Sequence, residues 1–173
     1  MDMMLSVDYL KTFQLFRELP EKDQYYLCRD VVCTNAYLSR SFYAYDMGAE
    51  IVVYPDGTYP FITNSNITET EQVLRAGKVQ DLNYLKPDQI HYCLMKALAS
   101  FNTYCPLISQ KSRHLIEEER VKYAKILLHY LHEKYGIREG NKKFIDSLSI
   151  LNELIKMKKE YTDTFHTFKH YFK

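Results

Sequence analysis

Between Pro20 and Gly48 the chain contains no other Gly or Pro, and from Val31 to Ala44 its only charge is Arg40. Pro20 fixes the φ of a first helical position, where its missing N–H costs nothing, and Glu21 and Asp23 put negative charge at the positive end of the helix dipole. Leu27, Cys28, Val31, Val32, Ala36, Leu38 and Phe42 then recur mostly three and four residues apart, the spacing of a helix face. Gly48 is a natural stop. The result is a helix about 40 Å long at about 1.5 Å per residue. Because it is apolar nearly all round, it is expected to be buried on several sides, as the middle layer of a helical stack.

Upstream, Val7, Leu10 and Phe13 predict a helix ending near Phe16, with Leu19 stapling the entry to the next one. Downstream, Ile51 to Tyr54 are strand formers and Pro55-Asp56-Gly57 is a turn, so a small β-hairpin is expected over Glu50 to Ile62, lying on the helices. Thr68 and Glu71 have capping-box spacing for a short helix ending at Gly77. Pro87 and Asp88 open another helix, with Ile90, Leu94, Ala97, Leu98 and Phe101 on its apolar face and Lys86, His91 and Lys96 off it. Ser109 or Ser112 caps a long helix to Tyr135, closed by Gly136, along which Tyr123, Leu127, Tyr130 and Leu131 form the apolar stripe and Glu117 to Lys122 is solvated. Asn141 caps the next, whose apolar residues Phe144, Ile145, Leu148, Leu151, Leu154 and Ile155 cover more of the circumference than one core contact needs. Tyr161, Phe165, Phe168 and Phe172 make the tail amphipathic if it is helical.

A length of 173 residues with 46% hydrophobic and 26% charged residues fits one globular domain with a sizeable core. Sixteen Tyr, nine Phe and no Trp mean that aromatic rings fill much of it. A net charge of +1 with no local Lys/Arg cluster argues against direct nucleic-acid binding by this chain alone. No run of 18 apolar residues exists to cross a membrane. Met1 to Leu5 lacks the basic start and the length of a signal peptide. Cys28, Cys33, Cys93 and Cys105 form no CxxC pair and no zinc spacing, and read as buried thiols in a reducing compartment. His129 with His132, and His166 with His170, lack the further ligands that zinc requires. No phosphate loop, nucleophile elbow or HExxH motif is present. The chain therefore offers no catalytic residue, metal site or cofactor site.

One stretch is more specific than these patterns. Tyr9, Leu10, Lys11, Phe16, Leu19, Asp23, Gln24, Leu27 and Cys28 stand at the spacing of the signature of the nuclear hormone receptor ligand-binding domain, which this sequence resembles from about Val7 to about Lys159. Leu10 and Cys28 depart mildly from it, and SFYAYDMGAEIVVYPDGTYP looks like the expanded nematode branch. LKPDQIHYCLMKALASFN is similar to that family's eighth helix and KKFIDSLSILNEL to its tenth, the usual dimerisation helix. The resemblance implies an all-α, layered antiparallel helical sandwich with one small β-hairpin, as a single domain over 1–173 truncated at its start. A DNA-binding domain, the first helices and most of the third do not precede Tyr9. TFHTFKHYFK has Lys169 where the family's activation helix carries Glu, so that helix is expected to be absent or degenerate.

The resemblance also assigns roles. Lys11 is the lysine that caps the carboxyl end of a coregulator helix, and Gln24, Tyr25 and Cys28 form the floor of the groove that holds it; Arg29 stands opposite in sign to the acid common there. Val32, Cys33, Ala36, Tyr37, Arg40 and Tyr43 are positions that line the ligand pocket in relatives, with Tyr43 in place of the ligand-anchoring arginine. Read without the resemblance, they are simply core. Leu148 and Leu151 belong to a homo- or heterodimer interface over residues 141–159. The implied function is a ligand-binding and regulatory domain of a transcription factor, taking an apolar small molecule or lipid, with a location in the nucleus or shared with the cytoplasm. The alternative is a ligand-free helical interaction module, filled by its own rings, that dimerises or represses.

Overall fold

A computed structural model describes the backbone of residues 2–53, 76–102 and 104–168, and the side chains of 4–53, 76–102 and 104–157. Among the described residues six helices follow one another: α1 (Asp2–Thr12), α2 (Gln14–Glu18), α3 (Glu21–Asp46), α4 (Val79–Leu85), α5 (Gln89–Ser100) and α6 (Gln110–Phe168). The architecture is the expected all-α one. α3 starts one residue after Pro20, which is extended at φ −54° and ψ 142°, and ends at Asp46, with Met47 as its C-cap before Gly48 turns left-handed at φ 70°.

α3 touches α1, α4, α5 and α6. Its first half enters one apolar cluster, where Leu27, Val31 and Val32 meet Leu10 of α1, Phe16 of α2 and Ile116 of α6. Its second half enters another, where Leu38 and Phe42 meet Leu82, Met95, Leu131 and Leu154. Phe42 stacks on Tyr92 of α5 with ring centroids 3.8 Å apart, and Phe101 stacks on Tyr123 at 5.9 Å, with Phe13 edge-on to both. The expected middle layer is thus present, and rings of the chain itself fill space between layers.

α6 is one helical run broken at Gly136, whose φ of 76° and ψ of 166° no helix accommodates. The chain folds back on itself there. A Cβ on Gly140 would lie 2.9 Å from the Leu131 backbone and 2.8 Å from the His132 ring, so only glycine lets the second arm leave so close to the first. His132 Nε2 meets Asn141 Oδ1 at 2.7 Å across the same corner. The helix begins where Ser109 caps it: the Ser112 N–H reaches Ser109 Oγ at 3.3 Å.

Several expectations change. The segment predicted to run to Phe16 breaks at Phe13, which is extended at φ −78° and ψ 131°. Ile51 to Val53 form no strand, and the rest of the expected hairpin, like the short helix begun at Thr68, lies outside the described residues; Val52 is buried against Ala44 and Val79. α4 is an element the sequence reading passed over. The predicted apolar face of α5 is buried at Ala97, Leu98 and Phe101, and Leu94 packs against the larger cluster, but Ile90 is exposed and His91 is buried in line with Met95 and Leu98. Cys93 is exposed, and Cys28 and Cys33 are half-buried; of the four thiols only Cys105 is buried.

His91 tolerates burial through one bond. The Ser147 hydroxyl donates to the Lys143 carbonyl at 2.6 Å, so its oxygen accepts from His91 Nε2, 2.7 Å away. Nε2 therefore carries the proton, and Nδ1 is buried and has no hydrogen-bond partner among the described residues. Burial pushes the His91 pKa down to about 4. One turn earlier, Asp88 caps α5 by accepting the His91 N–H at 2.8 Å, and its other oxygen takes the Tyr130 hydroxyl and the Lys134 ammonium of α6. Burial opposes the charge on Asp88, but these bonds prevail and hold its pKa at about 2.

Candidate functional site

The residues carrying the signature converge on the corner where α1, α2 and α3 meet. Two helix ends and a helix start lie close together there, and each leaves backbone groups unpaired. Side chains satisfy them. Arg17 Nη1 donates to the Lys11 carbonyl at 3.2 Å, and Gln24 Nε2 donates to the Leu19 carbonyl at 2.8 Å. Gln24, expected as groove floor, is thus also the clasp that fixes the α2–α3 turn.

Asp23 is buried, and its carboxylate is fully occupied across the molecule. It accepts the Ser109 N–H at 3.0 Å and the Ser109 and Ser112 hydroxyls at 2.6 and 2.7 Å. The serine hydroxyls hold its pKa below the ordinary carboxylate value, against the opposing effect of burial. The start of α3 is pinned in this way to the start of α6. From sequence, Asp23 is a charge on its own helix dipole and a position of the signature; its partners, 86 and 89 residues away, are not readable there.

On this frame Lys11 is exposed at the end of α1, paired with Asp8 at 3.1 Å, and its charge acts on the Cys28 thiol. Burial raises the Cys28 pKa and Lys11 opposes the rise, so α1 and α3 bring these two predicted residues together. Tyr25, 62% exposed, stands edge-on to Tyr26 at 5.4 Å, and the Arg29 guanidinium lies over the Tyr26 ring at 5.2 Å. Met4, seven residues before Lys11 and on the same helix face, is 74% exposed, and Leu5 61%. α1 and α3 therefore present exposed apolar side chains, and α1 ends in an exposed lysine paired with Asp8.

The six positions expected around a ligand separate into two groups. Val32 and Ala36 are buried, and Val32 packs among Phe101, Ile116 and their neighbours. Cys33, Tyr37, Arg40 and Tyr43 are half-buried, and the Arg40 guanidinium lies 5.7 Å from the Tyr37 ring centre. Cys33, Tyr37 and Arg40, spaced by four and three, share one side of α3. A cavity of about 560 Å³ lies elsewhere, along the first arm of α6 beside His114, Val121 and Ile126.

On the second arm of α6, Leu148 is half-buried against the larger cluster and Leu151 is only 3% exposed. Leu151 is core, so it offers no surface to a partner. The outward apolar residues described on this arm are Ile137, beside the break at 71% exposed, and Ile145, 65% exposed. The side chains of His166 and His170 lie outside the described residues, and among those described no cluster of His, Cys, Asp and Glu could hold a metal. No described helix is long and apolar enough to cross a membrane.

Residues 1–171 match the family model for the ligand-binding domain of nuclear hormone receptor. The chain is 34% identical over 131 residues to nuclear hormone receptor family member nhr-60 of Caenorhabditis elegans, which covers 75% of this chain and 28% of that protein. It is 30% identical over 148 residues to family member nhr-68 of the same organism, covering 83% and 38%. Nuclear hormone receptor 114 is likewise 30% identical over 150 residues, covering 83% and 35%. The chain thus spans about a third of the length of these relatives.

Proposed function

The chain belongs to the family of the ligand-binding domain of nuclear hormone receptors, and on that premise we propose that it is a regulatory domain that docks a partner helix in the corner between α1 and α3. The family is one of transcription factors and not of enzymes. The observation that carries the reading is the placement of Lys11: an exposed ammonium ending α1 whose charge reaches the half-buried Cys28 of α3, with Met4 exposed on α1 and Tyr25 on α3. A helix laid in such a groove buries its apolar side chains, and its unpaired C-terminal carbonyls meet the lysine. Asp23 and Gln24 keep that corner in place. A nuclear location, and dimerisation through residues 141–159 with Ile145 at the contact, belong to the same reading.

The ligand follows from the α3 side formed by Cys33, Tyr37 and Arg40, with Tyr43 near its end. An apolar molecule there would have a cation and a phenol at one edge to orient it. A specific observation favours the second reading, a module that needs no ligand. The stacks of Phe42 on Tyr92 and of Phe101 on Tyr123 fill the core with the protein's own rings. Native mass spectrometry separates the two: a retained lipid or sterol mass supports the ligand, and a clean apo mass supports the filled core.

Titration with an LxxLL peptide tests the groove. In this family the helix is also held at its amino end by a glutamate of the activation helix, and residues 164–173 contain none. Loss of one such charged clamp costs about 1.5 to 3 kcal/mol, roughly 10- to 150-fold in affinity. Weak binding that Lys11→Ala abolishes is expected. Binding unchanged by Lys11→Ala refutes the groove, and binding that strengthens when the chain is ended at Tyr161 shows that the tail occludes it.

A further inference from the structure

We propose that the helix docked in the corner between α1 and α3 carries acidic residues beside its apolar face, and that Arg29 and Lys22 of α3 receive them. This rests on the reading of that corner as a docking groove, and it names the class of partner the groove selects.

The corner side of α3 can be followed around the helix circumference. Starting from Cys28, which Lys11 of α1 reaches with its charge, Tyr25 comes about 60° further round, and Arg29 and Lys22 about 40° and 60° beyond Tyr25. A helix seated between α1 and Tyr25 therefore has Lys11 along one edge and Arg29 with Lys22 along the other. Both of these cations are exposed. Arg29 is also held in a set posture: its guanidinium lies over the Tyr26 ring at 5.2 Å, and Tyr26 is edge-on to Tyr25 at 5.4 Å. A guanidinium stacked on a ring leaves its N–H edge for a carboxylate, which it can take in two parallel bonds.

Among the described residues, the acids of the corner are engaged elsewhere. Asp8 pairs with Lys11, Glu18 accepts from Gln14, and Asp23 is buried on Ser109 and Ser112. Asp30 accepts the Tyr104 N–H, and Glu21 stands in the first turn of α3, at the positive end of its own helix. Tyr25, 62% exposed, supplies the apolar surface between the two charged edges, an aromatic anchor inside a polar rim. A partner with basic flanks would meet cations along both edges, so the corner discriminates by repulsion as well as by attraction.

The test is fluorescence anisotropy of the purified full chain with two labelled LxxLL peptides that differ only in the four residues before the motif, all Glu in one and all Lys in the other. The acidic peptide is expected to bind about 10-fold more tightly at low salt, with the gap narrowing as salt rises. Acid near the amino end also favours the peptide's own helix, so the deciding readout is Arg29→Glu, which is expected to weaken the acidic peptide about fivefold and to strengthen the basic one. Circular dichroism checks that this exposed substitution leaves the fold in place. Equal binding of both peptides, abolished in both by Lys11→Ala, leaves the docking groove standing and overturns this proposal. So does an acidic preference that Arg29→Glu does not change. If neither peptide binds, the groove itself falls and this proposal with it. A dimer in sedimentation that Arg29→Glu abolishes would place a second copy of the chain on this face, and overturns the proposal as well.

Discussion

Acid should weaken this protein well above the pH at which its carboxylates titrate, and His91 should be the cause. Its ring is buried, with the Nε2–H given to Ser147 and Nδ1 without a partner among the described residues. Adding a proton at Nδ1 creates a charge with no acceptor among those residues, in a site where Lys143 and Lys134 repel it and only Asp88 attracts it. In the unfolded chain the same ring protonates near pH 6.5. Between that value and the folded value of about 4, the unfolded state binds more protons than the folded one, so stability falls as pH falls through this window. The loss is about 2 kcal/mol at pH 5 and approaches about 3 kcal/mol near pH 4. Urea unfolding followed by circular dichroism at pH 7.5 and pH 5.0 measures it. His91→Leu, which removes the titration and leaves Ser147 bonded to Lys143, should cut the difference between the two pH values by about that 2 kcal/mol. An equal pH dependence in wild type and variant, or a His91 resonance titrating near 6.5, would refute the reasoning.

Leu38→Ala removes a fully buried side chain from the larger cluster and should cost roughly 2 to 5 kcal/mol; an unchanged melting midpoint would contradict the placement of α3. Asp23→Ala leaves the Ser109 N–H and two hydroxyls without their acceptor and should cost at least about 1.5 to 3 kcal/mol by chemical denaturation. Since the Asp23 pKa is lowered by folding, its contribution is present above the ordinary carboxylate pKa and disappears as pH falls through the folded value, which gives wild type a further acid-sensitive step that the variant lacks. Ile145→Glu should abolish any dimer seen by sedimentation while leaving the melting midpoint in place, whereas Leu151→Glu should unfold the domain by burying a charge.

What could be read in advance depended on how local the cause was. α3 was legible almost to the residue, because Pro20, Gly48 and an uninterrupted apolar pattern are all properties of the segment itself. α4 was passed over because Val79, Leu82 and Leu85 span too few residues to establish a period. On α5 the expected face is met at Ala97, Leu98 and Phe101, but Ile90 and His91 exchange places; what lets a histidine take the buried position is a hydrogen bond to a serine 56 residues further on. At the corner, the signature singled out Lys11, Gln24 and Cys28 by position. Mechanical roles there were not legible, since the carbonyls that Gln24 and Arg17 serve exist only once α1 stops at Thr12 and α2 at Glu18. For Leu151, the width of the apolar face announced surplus surface but not which residues form it.

The two apolar clusters share one rod. Since α3 contributes Leu27 and Val31 to one and Leu38 and Phe42 to the other, neither cluster can loosen without disturbing packing on a helix the other also holds. A helix so clamped moves as a stiff body rather than bending between its ends. Cys33, Tyr37 and Arg40 lie on that body within a few turns of Tyr25 and Cys28. A displacement imposed at the first set would therefore reach the second as a shift or rotation of the whole rod, with Asp23 and its two serines acting as the pivot.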